Sequence, residues 1–532
     1  MTTETVTPHR SPVTPERESF WHLVHAEWTK FRTVRGWVIA AGVTIAGITA
    51  FAFLGADVSG GCAATSGTSS ATSTSGGTGG AAACPAQPTG PGGVPVIDAF
   101  YFAHQPVTGN GTIAVQVTSL TGQVPAAPAG STLDEPQIGS GLQPWSKAGI
   151  LIKENTSQGS AYAAMMATGS NGVRMQWDYL NDTPGLTGSV SASAPRWLRL
   201  VRDGGTITGY DSTDGTHWTL VGTATLPGLT ATVQAGLFAA GSSVNGDFGA
   251  MATGVFRHIG LSWPATGWTG TNVGGVNLNS GVTVPGTLRQ SAGTIAVAGY
   301  GDISPAAGNA YSGSGQSLQR ALIGTFFGLI PLIVVAAMFI TAEYRRGLIR
   351  VSLTAAPRRG RLLAAKAVVI GAAGFVAGLV AAALALAVGT PLLRRAGSLE
   401  WPVSLPTEAR MAVGTGALLA VAAVLALAIG TIVRRSAPAV AIVIGVVLVP
   451  YLLVLGPLQG ANGEAPRWPL LITPAAALSV QQAVPRFYQL IAVYRPNAGY
   501  YPLAPWAGLA VECAWAAAAM ALAFFLLRRR DA

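Results

Sequence analysis

The chain has 532 residues, 49% of them hydrophobic and 10% charged, with a mean hydropathy of +0.43. Soluble domains carry about 25% charged residues, so this composition excludes an ordinary water-soluble protein and assigns part of the chain to lipid. The net charge of +10 is not that of a nucleic-acid binder, because the positives flank apolar runs and no finger or helix-turn-helix pattern accompanies them.

Residues 1–36 form a basic N-terminal segment. Within "RESFWHLVHAEWTKFRTVRGW", Trp21, Val24, Trp28 and Phe31 recur at spacings of 3, 4 and 3, which places them on one face of a helix. Tryptophan in an amphipathic stripe suits a membrane interface. The pattern predicts an elbow helix ahead of the first span, either a plain anchor or also a surface for a cytoplasmic partner. The first apolar run, 37–56, is long enough to cross a hydrocarbon core of about 30 Å. The 36 residues before it are too many for a cleavable signal, so it reads as a signal-anchor.

Residues 57–320 contain no run long enough to span. Between 57 and 318 there are twelve Asp/Glu and eight Lys/Arg, so this segment is acidic within a basic chain and is expected outside. Its start, 57–93, is Gly/Ser/Thr-rich and too poor in apolar groups to order itself, which predicts a tether. Cys62 and Cys84 flank the tether; an oxidising compartment permits a bridge, and two free thiols are the alternative. From 94 to 262 the pattern alternates with period two in short runs divided by turns, which predicts an antiparallel β-sandwich. "GYDSTDGTHWTLVG" reads as a hairpin turning near Asp214 and Gly215. Residues 263–320 read as a small β extension or a return linker.

The stretches "PWSKAGILIKE", "SAYAAMMATGSNGVRMQW" and "RWLRLVRDGGTITGYDSTDGTHW" resemble the concanavalin-like lectin/glucanase jelly roll. That resemblance speaks for fold more than for function. Sugar hydrolysis needs two facing carboxylates, and no strand here shows a close alternating acid pair. Glycan contact would fall to aromatic side chains, with Trp145, Trp177, Tyr179 and Tyr210 as candidates beside Trp197 and Trp218; core packing is the alternative for each.

Five further apolar runs follow, at 321–342, 367–390, 411–432, 438–456 and 505–527. Pro438 opens the fourth of these and Pro450 interrupts it. Positive charge marks the cytoplasmic side. Arg and Lys crowd the segment before 37, the loop 343–366, the short loop 433–437 with Arg434 and Arg435, and the tail 528–532. These alternate with the outer segments 57–320, 391–410 and 457–504. The expected fold is an α-helical polytopic membrane protein with six transmembrane helices, both termini cytoplasmic, and a large extracytoplasmic antiparallel β-sandwich between helices 1 and 2.

Each of the four lysines follows Thr29, Ser146, Ile152 or Ala365, so no Gly-Lys pair exists to form a Walker-A phosphate loop. No metal site is expected. Glu512, alone within the last span, is a candidate pathway residue, or a carboxyl that faces the bundle and takes a hydrogen bond. The loop 343–366 orders its charges as Glu343, Arg345, Arg346 and Arg350, then a turn at Ala356-Pro357, then a second basic group. That order suits a folded contact surface as well as a topology signal.

"HAEWTKFRTVRGW" at 25–37, "FITAEYRRGLIRVSLTAAPRRGRLLAAKA" at 339–367 and "FFLLRRRDA" at 524–532 resemble the permease subunit of type-2 ATP-binding-cassette exporters in its actinobacterial form. The resemblance implies a transporter subunit without its own ATPase site, no cofactor in this chain, and ATP and Mg bound by a cytoplasmic cassette ATPase dimer. It also implies a second permease half, identical or not. Carried over by residue, Glu27, Lys30 and Arg32 would belong to the elbow helix, and Glu343, Arg345, Arg346 and Arg350 would couple to the ATPase. The stretch 470–490 would supply short re-entrant or capping helices near the exit. The inserted sandwich departs from the family pattern and adds an extracytoplasmic glycan as a candidate partner. Two other readings stand beside this one: a membrane-anchored glycan-binding receptor or adhesin, and an ion-coupled carrier that depends on Glu512.

Overall fold

A computed structural model describes residues 19–59, 88–126, 137–242, 250–274, 285–291, 293–307, 317–345, 347, 358–395, 400–455, 467–493 and 499–529. Its helices are α1 Phe20–Thr33, α2 Arg35–Ser59, α3 Thr325–Arg345, α4 Arg359–Arg395, α5 Leu405–Val433, α6 Ser436–Val447, α7 Val449–Leu455, α8 Pro469–Ile472 and α9 Pro505–Arg529. Among the described residues, five helices are long and apolar enough to cross a membrane: α2, α3 with its preceding turn, α4, α5 and α9. The pair α6 and α7, bent by 40°, makes a sixth crossing if it is counted as one. The bend has a local cause. Pro450 has no N–H to give to the carbonyl four residues back, so the helix breaks at Leu448.

Helices α3 and α5 are the most enclosed. Small residues let the backbones meet. A Cβ on Gly328 of α3 would lie 2.5 Å from the Ile48 side chain of α2, and one on Gly378 of α4 would lie 2.9 Å from the Cα of Gly416 on α5. Close approach of this kind is how helices pack where lipid removes the hydrophobic drive between them. Thr44 of α2 adds a hydrogen bond to the Gly328 carbonyl at 3.2 Å.

The described residues between Ser59 and Thr325 form two packed antiparallel sheets and a short two-stranded ladder. One has seven strands, ordered Thr269–Val273, Phe100–Thr108, Thr232–Ala240, Lys147–Lys153, Tyr162–Thr168, Val173–Trp177 and Asn181–Pro184. The other has eight. Its path runs Thr219–Thr225, Thr206–Ser212, Arg196–Asp203, Gly111–Ala126, Met251–Leu261, Thr294–Tyr300 and Thr287–Ser291, with Gln137–Ser140 paired to Gly111–Ala126. Val115, Ile150, Met165, Leu198, Leu237 and Phe256 fill the space between them. The sandwich does not stop at 262. Thr269–Val273, Thr287–Ser291 and Thr294–Tyr300 pair into the same two sheets, so this part of the expected β extension or linker belongs to the sandwich, while Ile303–Pro305 pairs with Val96–Asp98 in a separate two-stranded ladder. Thr269–Val273 and Thr287–Ser291 are short polar strands at sheet edges, where alternation is weak.

The seven-stranded sheet turns its other face toward the helical half. Phe102, Leu151, Tyr162, Met166 and Phe238 on that face form one apolar cluster with Trp401, Val484, Leu490 and Tyr500. Gln489 donates to the Tyr179 carbonyl at 2.8 Å, and the Tyr500 hydroxyl donates to the Ala307 carbonyl at 3.2 Å. The helical bundle therefore has one end that carries the sandwich and an opposite end marked by Thr33, Arg345, Arg359, Arg434 and Arg529.

Candidate functional site

The basic end holds a four-residue charge cluster. Lys366 of α4 is fully buried, and its Nζ lies 2.7 Å from Glu27 Oε2 of α1 and 2.7 Å from Glu343 Oε1 of α3. Lys30, one helical turn from Glu27, reaches Glu27 Oε1 at 2.7 Å and Glu343 Oε1 at 3.3 Å. The Phe339 ring lies beneath the Lys366 ammonium at 4.9 Å. Two acids and two lysines thus neutralise one another and tie three helices together. Burial works against the charge on Lys30, but the hydrogen bond and charge of Glu27, with Glu343 beside it, outweigh burial and raise its pKa above the ordinary lysine value.

Of the residues assigned to partner contact by resemblance, Glu27 and Glu343 are engaged inside the chain. Glu27 is only 1% exposed and has no surface to offer. Arg32 and Arg345 are exposed at the rim, with Arg358 and Arg361. Arg346 and Arg350 lie outside the described residues. The residue that sequence reasoning passed over is Lys366, counted there only as a topology charge. Its signal was a lone lysine inside "LLAAKAVVI", where a helix that buries Leu363 also buries the position three residues on.

At the sandwich end, two lysines on the strand "KAGILIK" pin the chain where it enters and leaves the sandwich. Lys153 lies 2.7 Å from Asp98, which also accepts from the Tyr179 hydroxyl at 2.7 Å and the Gly159 N–H at 2.8 Å. Lys147 lies 2.7 Å from Asp302 and donates to the Ile303 carbonyl at 2.5 Å. Asp98 and Ile303 sit on a short two-stranded ladder between sandwich and helices. Burial pulls the Lys153 pKa below the lysine value, with Asp98 opposing it, and burial lifts the Tyr179 hydroxyl well above the tyrosine value.

Between the two ends, the stretch expected to be re-entrant is inserted among the helices. Residues Pro474–Gln481 form a buried 3-10 turn packed on α5 and α9. Gln481 donates to Thr325 at 2.8 Å and to Thr415 at 3.1 Å, and Arg410 donates to the Val480 and Gln482 carbonyls. A cavity of about 230 Å³ opens beside it, lined by Gln319, Arg320, Phe326, Tyr451, Gln481 and Tyr501. Glu512 of α9 is fully buried, and neither carboxyl oxygen has a hydrogen-bond partner among the described residues.

The four aromatic candidates for glycan contact do not form one surface. Trp145 is 3% and Tyr179 1% exposed; neither ring faces solvent, because Arg174 covers Trp145 and the Asp98 network holds Tyr179. Trp177 packs against the inter-sheet core. Only Tyr210 lies on an outward face. Cys62 and Cys84 lie outside the described residues, and Cys513 is a free, exposed thiol.

The long apolar helices define a multi-pass membrane protein. The family model for the ABC-2 family transporter protein matches residues 248–532, more than half of the 532, and the chain belongs to that family. The match begins inside the sandwich and leaves α1 and α2 outside it. Curated protein sequences give no match. Among solved structures, the chain is similar to scytalido-glutamic peptidase, at 9% identity over 38% of this chain and 98% of that one, with a TM-score of 0.22. It is also similar to a functionally unknown protein from Saccharomyces cerevisiae, at 15% identity over 30% and 74%, with a TM-score of 0.20. The GH43 protein BlXynB of Bacillus licheniformis is similar at 15% identity over 24% of each chain, with a TM-score of 0.16. At these identities and scores none of the three bears on activity.

Proposed function

We propose that the protein is the permease subunit of an ATP-driven exporter, powered by a separate cytoplasmic cassette ATPase that binds ATP and Mg. The basic end would then face the cytoplasm, as the positive-inside rule requires, and the sandwich would sit over the exit on the other side. The observation that carries this reading is the buried Lys366, which holds Glu27 and Glu343 together. An elbow helix fastened this way cannot move without α3 and α4. The exposed Arg32, Arg345, Arg358 and Arg361, with Trp21 at 70% and Trp28 at 42% exposure, supply a partner surface around the fastening.

In this mechanism the partner's nucleotide states bind the inward-open and outward-open forms unequally. Only such differential binding moves a conformational equilibrium. The charge cluster passes the displacement of α1 into the core helices. A second permease half completes the pathway.

The test is affinity purification of the tagged protein from its native membrane, followed by ATPase assay of the co-purified complex. A cassette ATPase is expected in stoichiometric amount with wild type. Glu343→Arg, which sets three cations around Glu27, is expected to abolish stimulated ATPase. Absence of any cassette ATPase from the wild-type preparation overturns the reading.

A further inference from the structure

The outward face of the eight-stranded sheet holds a cation with no acceptor among the described residues. On Arg196–Asp203, Leu198 and Leu200 fill the core, so Trp197, Arg199 and Val201 point away from it. The Arg199 guanidinium lies 4.5 Å from the Tyr210 ring centre and 4.3 Å from that of Trp218. Two rings fix its plane. Its Nε is covered and has no partner among the described residues, and the side chain as a whole is half-buried.

The acids nearby are each engaged. Asp214 accepts from the His217 ring at 2.6 Å and from the Thr216 and His217 N–H groups at 2.8 Å. Buried Asp211 accepts the Leu186 N–H at 2.6 Å, and Asp203 accepts Asn110 at 2.6 Å. Arg196, by contrast, spends its N–H groups on the Ala194, Pro195 and Thr187 carbonyls. Around Arg199 stand Leu220, 58% exposed and in register with Tyr210, and the exposed Arg257, in register with Gln116.

We infer that this patch binds a carboxylated polysaccharide. The apolar C–H face of a pyranose lies on the exposed parts of Trp218 and Leu220, and its carboxylate takes the Arg199 fork, which matches a carboxylate in geometry and charge. A peptide has less to hold here. The Arg199 strand is paired on both sides, so no strand can add beside it; the nearest sheet edge is Thr219–Thr225, which carries Leu220, and the polyglutamate comparison below tests a peptide there. A bilayer does not reach the patch, because the other sheet is the one packed on the helical half. The inference deepens the exporter reading by naming what the outer domain holds, and its test does not depend on the ATPase partner.

The experiment titrates the full-length, detergent-solubilised protein with oligogalacturonate and with its methyl-esterified, uncharged form, read by tryptophan fluorescence. Oligogalacturonate is expected to bind, and the ester to bind at least about tenfold more weakly. Arg199→Gln and Trp218→Ala are each expected to weaken binding of the acid by about tenfold, while Arg199→Lys keeps part of it. Unchanged thermal midpoints show that the variants are folded; if Arg199→Gln is not, Arg199→Lys carries the comparison. The inference is overturned by absence of binding, by equal affinity for acid and ester, by an unchanged Arg199→Gln, or by polyglutamate binding as tightly as oligogalacturonate.

Discussion

The two ends of the molecule bury charge in different ways. At the sandwich end each lysine answers one acid, and both partners are sealed: Lys153 and Asp98 have no exposed side-chain surface. At the basic end two lysines share two acids in a graded exposure. Lys366 has none, Glu27 2%, Glu343 12% and Lys30 43%; Glu343 Oε2, like Asp98 Oδ1 at the other end, has no partner among the described residues. The pKa directions part accordingly. For Lys153 burial outweighs Asp98 and the value falls; for Lys30 the paired acids outweigh partial burial and it rises. A one-to-one sealed pair has no second arrangement to adopt and fixes position. A shared cluster can exchange partners without leaving any charge alone, which is what a joint between moving helices needs.

The largest expected effect comes from breaking a sealed pair. Lys153→Met strands the Asp98 carboxylate, and removing one partner of a buried pair costs about 3–5 kcal/mol. In a domain of this size that lowers the thermal midpoint by about 10 °C. The double variant Lys153→Met/Asp98→Leu is expected to recover at least half of that loss, because no uncompensated charge is left. Equal losses in the single and double variants would show that packing, not charge, holds the entry strand.

Lys366→Met ranks next. Lys30 still reaches both acids, so the stability loss is expected to be smaller, about 2–3 kcal/mol. The functional loss is expected to be larger than the structural one: ATPase stimulated by the partner should fall by about tenfold or more while the protein still inserts. Lys30→Met, half exposed and screened by water, is expected to cost about 1 kcal/mol or less. If Lys30→Met uncoupled the complex as fully as Lys366→Met, the graded arrangement would be wrong and the exposed lysine would be the joint.

Much of this architecture was legible before any coordinates. Span lengths follow from apolar runs, and Pro450 marked the one that bends. Alternation revealed the strands between 94 and 262, and the Asp214–Gly215 turn fell where Gly215 adopts φ +78°. What could not be read was which charges meet. Asp98 and Lys153 are 55 residues apart, and Glu27 and Lys366 are 339 apart; no local pattern encodes such pairs. Single-residue chemistry misled in the same way. Trp145 and Tyr179 look like sugar platforms as residue types, but both lie in turns beside strands, where Arg174 covers Trp145 and the Asp98 network holds Tyr179. Arg199 looked ordinary until its ring neighbours and missing acceptor were in view.

The smallest expected effect belongs to a pair with nothing buried. His217 and Asp214 stand at the exposed tip of the hairpin, with 92% and 46% of their side chains open to water. The Asp214 hydrogen bond and charge raise the His217 pKa above 6.5, and the same contact, with the turn N–H groups, holds Asp214 below the ordinary carboxylate range. A raised histidine pKa means that its contribution is fully present below the unfolded value of about 6.5 and is lost as pH rises through the folded one. His217→Gln should therefore lower the thermal midpoint by no more than about 2 °C near pH 5.5, and by nothing measurable near pH 9. A loss of equal size at both pH values would trace the effect to turn geometry, since Asp214 also accepts the backbone N–H groups of Thr216 and His217. A loss as large as that of Lys153→Met would mean that enclosure does not set the strength of charge pairs in this molecule.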